Sequence, residues 1–205
     1  MPEIFPGYTK HLQLVMDAFI KSDKTQKVTI PKGNKYLITD DVYCVQKGFF
    51  SIYMHEGERL LAYYEGQAIF GLTNYYTNPI YFYIKPSQTS TIYTLTTEEA
   101  QRVIAEQNLY QSINYILANN MTKFYRMYEK TITPNNYAFI RLLLQELNLA
   151  SDEVKASVTV ASYIIKRSGL SRSYVMLVLS ELRKGDYIHM EDGKLRGITS
   201  LPERF

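Results

Sequence analysis

Two hydrophobic rhythms divide the chain. Between Lys27 and Leu95, short apolar and aromatic runs follow one another: KVTI, KYLI, YCVQ, FFSIYM, LLAYY, QAIFGL, IYFYI and STIYTL. Gly33, Gly48, Gly57, Gly66 and Gly71, with Pro31, Pro79 and Pro86, fall between them. Brief runs broken by turn residues predict an all-β sandwich or roll. On either side the spacing becomes helical. Leu12, Val15, Met16, Phe19 and Ile20 predict a helix over His11 to Ile20. Thr97 to Gln107 reads as another, with Thr96 or Thr97 as N-cap and Glu98-Glu99 in the first turn, where carboxylates favour the helix dipole.

A long helix is predicted from Leu109 to about Lys130, with Leu109, Ile113, Ile116, Leu117, Phe124, Met127 and Tyr128 on one stripe and Asn120 among them. A narrow apolar stripe with one buried Asn suits pairing with a second copy. It equally suits packing on the β domain, and one helix can do both. Thr131 to Pro134 then reads as a hinge, Thr133 capping and Pro134 opening a helix through Tyr137, Ile140, Leu143, Leu144 and Leu147.

The densest pattern lies near the C-terminus. Ile164 and Ile165 end one helical stretch, and Leu170, Val175, Val178, Leu179 and Leu182 form another. Between them Gly169 can take the left-handed conformation that ends a helix, and Ser171 is placed to cap the next. Strand candidates Tyr187 to Met190 and Lys194 to Ile198 then flank Asp192-Gly193, a strong hairpin signal. Helix, turn, helix and hairpin make a winged helix. Its second helix would offer Ser171, Arg172, Ser173 and Met176 to base edges in the major groove. Lys166, Arg167, Lys194 and Arg196 would rest mostly on phosphate.

Charge and composition narrow the picture. The formal net charge is +3, and from Ala161 onward eight Lys and Arg face five Asp and Glu, so the whole excess lies beside the helix-turn-helix. Apolar content of 46% is ordinary for a globular chain. The single cysteine, Cys44, rules out a disulfide framework and fits a reducing cytoplasm. Nothing has the length of a membrane span, so no membrane partner is expected. HExxH, CxxC and P-loop motifs are missing, and His11, His55 and His189 stand beside no obvious nucleophile, so no enzyme and no metal site are expected. The dense tyrosines, including Tyr63-Tyr64 and Tyr75-Tyr76, suit half-buried strand positions.

The whole layout resembles the CRP/FNR superfamily of bacterial transcription regulators. IPKG (30–33), QKGFFSIY (46–53), EGQAIFG (65–71), GLSRSYV (169–175) and LRKGDYI (182–188) carry the likeness. The resemblance implies an α+β chain: a cyclic-nucleotide-binding-like β-roll over 1–108, a connecting and dimerisation helix over 109–133, and a winged helix over 134–205. It implies a homodimer on double-stranded DNA, with RNA polymerase a candidate further partner and the effector left open.

The departures matter as much. Cyclic-nucleotide-binding members carry a Gly-Glu-Leu phrase and a downstream Arg-Ser or Arg-Thr pair. Here Leu72 follows Gly71, and NPIYFYIKP puts Ile80 and Tyr81 near the arginine's place, with Lys85 the nearest cation and Pro86 arguing for a turn. A phosphodiester without its guanidinium would be buried unpaired, so no cAMP and no other cofactor is expected. One cysteine cannot hold an iron-sulfur cluster; Cys44 reads as a small, buried, inert strand residue, with redox sensing the alternative. In the recognition helix Arg172 keeps the family's first arginine, while Ser173 and Leu177 replace a common acid and a second arginine. Hence a second reading stays open, a protein-binding module with a degenerate helix-turn-helix.

Overall fold

The computed structural model describes residues 6–56, 59–131 and 135–203, with backbone alone at 127 and 129–131. Gly57, Thr133 and Pro134, singled out above, lie outside the described residues, as does the Met127 side chain. The chain divides into two compact units, residues 1–126 and 127–205.

In the first unit, α1 (Tyr8–Lys21) precedes eight strands: β1 (Gln26–Ile30), β2 (Tyr36–Ile38), β3 (Val42–Val45), β4 (Phe49–Met54), β5 (Leu60–Glu65), β6 (Ala68–Phe70), β7 (Phe82–Pro86) and β8 (Ser90–Leu95). Then come α2 (Thr97–Glu106) and α3 (Tyr110–Thr131), whose last residues belong to the second unit. The strands form two antiparallel four-stranded sheets, ordered β1-β8-β3-β6 and β2-β7-β4-β5. Each predicted run became a strand.

Strand alternation explains why β3 is apolar throughout. Tyr43 and Val45 point into the roll beside Ile30, Ile38, Phe50, Ile84 and Ile92. Val42 and Cys44 point the other way, into a core with Leu12, Met16 and Phe19 of α1, Val103 and Ile104 of α2, and Ile116 of α3. A strand buried on both faces has no place for a polar residue. Cys44 is fully buried, and that burial pushes its thiol up to about 12, so it is not the reactive thiolate of a redox sensor.

Pro86 makes no turn at Lys85; β7 runs through it, and Pro86 pairs with Phe50. Its missing N–H falls on the β2 side, beyond the end of that ladder at Ile84, where its carbonyl accepts from the Gly33 N–H at 3.0 Å.

Glu99 on α2 is buried and gathers Ser22 Oγ (2.6 Å), Arg102 Nε and NH2 (2.9 and 2.6 Å) and Lys24 Nζ (3.2 Å). Thr96 caps the same helix by accepting from the Glu99 N–H. The hydrogen bonds from Arg102, then from Ser22, hold the carboxyl down to about 2, below its ordinary 4.5. A depressed carboxyl stabilises the fold fully above its unfolded value, and loses that contribution as pH falls from about 4.5 to about 2. Glu99→Gln should therefore unfold at a lower urea midpoint than the parent at pH 7, with the gap closing as pH falls through that window. A gap constant from pH 7 to 3 would contradict this role.

The second unit holds α4 (Asn136–Asn148), α5 (Asp152–Ser157), α6 (Val160–Ser168), α7 (Arg172–Lys184), β9 (Ile188–Glu191) and β10 (Lys194–Ile198). Each helix has a side-chain cap: Asn135, Ser151, Thr159 and Ser171 accept from the N–H of Ala138, Val154, Ser162 and Tyr174. The α4 cap is thus Asn135, two positions beyond the expected Thr133. Ile140, Leu143 and Leu144 of α4, Val160 and Ile164 of α6, and Val175, Val178 and Leu182 of α7 are fully buried. Among the described residues no helix is long and apolar enough to cross a membrane.

Candidate nucleic-acid interface

The helix-turn-helix is set by two local devices. Gly169 ends α6 in the left-handed conformation, φ 71°, its N–H donating to Ile165 O at 2.9 Å. Ser171 then starts α7, its Oγ accepting from the Tyr174 N–H at 3.3 Å. Leu170 joins them, its N–H donating to Ser168 Oγ. A short turn fixed at both ends holds the second helix rigidly against the first.

The hairpin is tied to the same frame. Asp192 and Gly193 have φ of 50° and 75°, as a type I′ turn requires, and the Gly193 carbonyl accepts from the Val160 N–H at 2.8 Å. At the other end Gly185 lets the Tyr187 ring close in; a Cβ there would lie 2.4 Å from that ring. The Tyr187 N–H donates to Leu182 O at 2.9 Å. The wing cannot drift from α6 and α7 without breaking these contacts.

α7 buries Val175, Val178, Leu179 and Leu182 and exposes Arg172, Ser173, Met176, Leu177 and Ser180. Ser171 is exposed at its start. No ion pair among the described residues holds Arg172. Lys166 is exposed as well, and Lys194 is half-buried beside Lys155 and Arg196. Arg196 is exposed and pairs with Glu191 at 2.9 Å. An ion pair in water contributes little, so a phosphate can displace it.

One expectation is revised. Arg167 is turned inward, its NH2 3.0 Å from Glu146 Oε2 of α4 and its guanidinium over the Tyr163 ring. It braces α6 on α4 and is not presented to phosphate. Glu146 lies 21 positions earlier, beyond any local pattern. Leu177, placed on the recognition helix from sequence, lies on the exposed face, and Ser180, not chosen from sequence, joins it; spacing from Ser173 would have found Ser180.

On α3 the expected dimer stripe splits. Leu109 and Ile116 are buried in the unit's own core, with Ile113 and Leu117 packed against it. Asn120 is exposed, whereas Asn119 is fully buried, and among the described residues neither of its amide atoms has a hydrogen-bond partner. Phe124 is 59% exposed, and Met121, Tyr125 and Tyr128 join it on the surface.

Residues 136–203 match the family described as winged helix-turn-helix DNA binding. The chain is 29% identical over 167 residues to the "Inhibitor of hydrogen peroxide resistance" of Escherichia coli (strain K12), covering 81% of this chain and 80% of that protein. Among solved structures it is similar to CLP, described as a c-di-GMP responsive global regulator of Xanthomonas campestris, with TM-score 0.68 and 14% identity over 93% of this chain and all of that one. It is also similar to a transcriptional regulator of the CRP/FNR family from Thermus thermophilus, with TM-score 0.53 and 21% identity over 83% of this chain and 92% of that one. Roll, long helix and winged helix together give this chain the fold of the CRP/FNR regulators, its residues 136–203 matching the winged helix-turn-helix DNA-binding family.

Proposed function

We propose that this chain is a sequence-specific transcription regulator that binds DNA as a homodimer and needs no cAMP. The observation that carries the reading is the exposed N-terminal face of α7, where no ion pair among the described residues holds Arg172 and the helix is anchored by buried Val175, Val178, Leu179 and Leu182. Arg172 reads guanine O6 and N7 bidentately, and Ser173 touches the neighbouring base. Ser171, Lys166, Lys194 and Arg196 position the domain on phosphate.

Independence from cAMP rests on two features. No arginine occurs between Arg59 and Arg102, and Arg102 is engaged by Glu99 and Glu106. The roll interior is occupied by its own Ile, Val, Tyr and Phe side chains. Dimerisation rests on the exposed Met121, Phe124 and Tyr125 of α3.

The test is selection of bound fragments from the native genome at stated salt. The name of the Escherichia coli relative makes peroxide-treated cells a condition to include. On a selected fragment Arg172→Ala should weaken discrimination at one base pair by about 1–3 kcal/mol, measured by titration against single-base variants. Equal loss on random DNA would refute base reading. Met176 and Leu177, 47% and 56% exposed, are the apolar side chains that a second reading would use, a helix-turn-helix that binds a partner protein. That reading predicts no enrichment of any fragment.

A further inference from the structure

We infer that Met176 and Leu177 read thymine methyl groups, so that the half-site sets thymine beside the guanine taken by Arg172. The inference rests on the reading of α7 as a DNA-reading helix and names the sequence class that it reads.

One helix face narrows the bases that α7 can read. Ser173, Met176, Leu177 and Ser180 follow helical spacing and are all exposed, opposite the buried Val175, Val178, Leu179 and Leu182. Each base edge in the major groove demands a different chemistry. Guanine offers two acceptors, which suit Arg172. The cytosine amine needs an acceptor such as a carboxylate, and adenine is best met by Asn or Gln. This face has neither. The first acid of α7 is Glu181, and its Oε1 is engaged by Lys184 Nζ at 2.7 Å. The serine hydroxyls can hydrogen-bond any base and so discriminate little.

What remains is apolar, and the thymine 5-methyl is the apolar group that the major groove presents. Met176 and Leu177 stand one turn beyond Arg172 and Ser173, where a neighbouring base step would lie. The thioether of Met176 adapts to a methyl at several depths, while Leu177 has a fixed branched shape.

The surroundings favour DNA over a protein partner. The two side chains are bordered by Arg172 and by hydroxyls, with Lys166 and Arg183 also exposed in the unit. Stable protein interfaces bury about 800 Å² per partner around an apolar centre. Two neighbouring side chains in a cationic setting make a poor centre of that kind.

The experiment uses the full chain and a duplex selected from a random library. Each thymine of the selected duplex is replaced singly by deoxyuridine, which removes only the methyl. At one or two positions per half-site Kd should rise about fourfold, the worth of one buried methyl. Bromodeoxyuridine, whose bromine has a methyl's size, should restore binding there. The Met176→Ala/Leu177→Ala variant should bind the thymine duplex more weakly and ignore the uridine swap. Both side chains are exposed, so its urea midpoint should match the parent's. The inference is overturned if the selected duplex carries no thymine in its footprint, or if uridine is tolerated throughout. In either case DNA reading itself still stands. Absence of any enrichment, with partner binding that depends on the same two residues, would overturn both.

Discussion

Replacing Gly71 with alanine will destabilise the β-rich unit by about 2–5 kcal/mol, the sum of a conformational and a steric cost. Gly71 has φ +81°, where a side chain on an L-residue is strained, and a Cβ there would lie 2.1 Å from the carbonyl oxygen of Asp41. That oxygen belongs to the backbone and cannot swing aside. The segment is held from both directions: the Asn74 N–H donates to Gly71 O, and Asn74 Nδ2 donates to the Thr39 carbonyl at 2.9 Å. To admit the methyl, the β2–β3 loop must move off the segment that follows β6. Gly66 is the control. Its φ is also positive, +102°, but nothing lies within 4 Å of its added Cβ, so Gly66→Ala should show the conformational cost alone. Urea unfolding should show a lowered midpoint for both and a clearly larger drop at Gly71. Equal drops would mean that the close approach to Asp41 is not what requires glycine.

The strands and the helix-turn-helix were legible because their signals are local. A glycine between two helical stretches, a serine three residues before Tyr174 and a four-residue apolar run like VYCV act through their immediate neighbours. What failed depended on distant ones. Pro86 reads as a turn because proline lacks an N–H, yet the cost of that lack depends on the partner strand, and here the missing donor faces the β2 side, where the ladder has already ended at Ile84. Asn120 is the expected buried amide on α3, and Asn119 is the buried one. Adjacent residues on a helix differ by about 100°. Which of them turns inward is set by packing on α1, where His11 meets Ser112 at 2.9 Å and stacks on Tyr115. In sequence Arg167 resembles any other basic residue beside a helix-turn-helix; only the fold brings Glu146 to it. Charge sign can be read from a sequence; the direction in which a long side chain extends cannot.

For the proposed homodimer, Phe124→Glu with Tyr125→Glu should yield a monomer and lower affinity for a two-half-site duplex by about 10²–10⁴-fold, the range that linked binding sites gain over single ones. Met121, Phe124 and Tyr125 are 60%, 59% and 65% exposed, and Tyr128 continues the face one turn on at 57%. Their spacing of three and four is that of a helix seam, and a second copy of the same helix would cover them. Carboxylates at the centre of such a seam would meet their own copies across it, unpaired and losing water, which is strongly unfavourable. The fold of the monomer should survive, because these side chains leave the core formed by Leu109 and Ile116 untouched. Sedimentation would report the mass, and titration against one-half-site and two-half-site duplexes would report the coupling. Affinity for a single half-site should change little, since α7 and the wing are unaltered. The salt dependence should fall as well: a complex that engages one half-site neutralises about half as many phosphates, and the slope of log K against log salt scales with that number. A variant that stays dimeric, or one that becomes monomeric and keeps both its affinity and its slope, would show that this face does not bring the two recognition helices onto the same DNA.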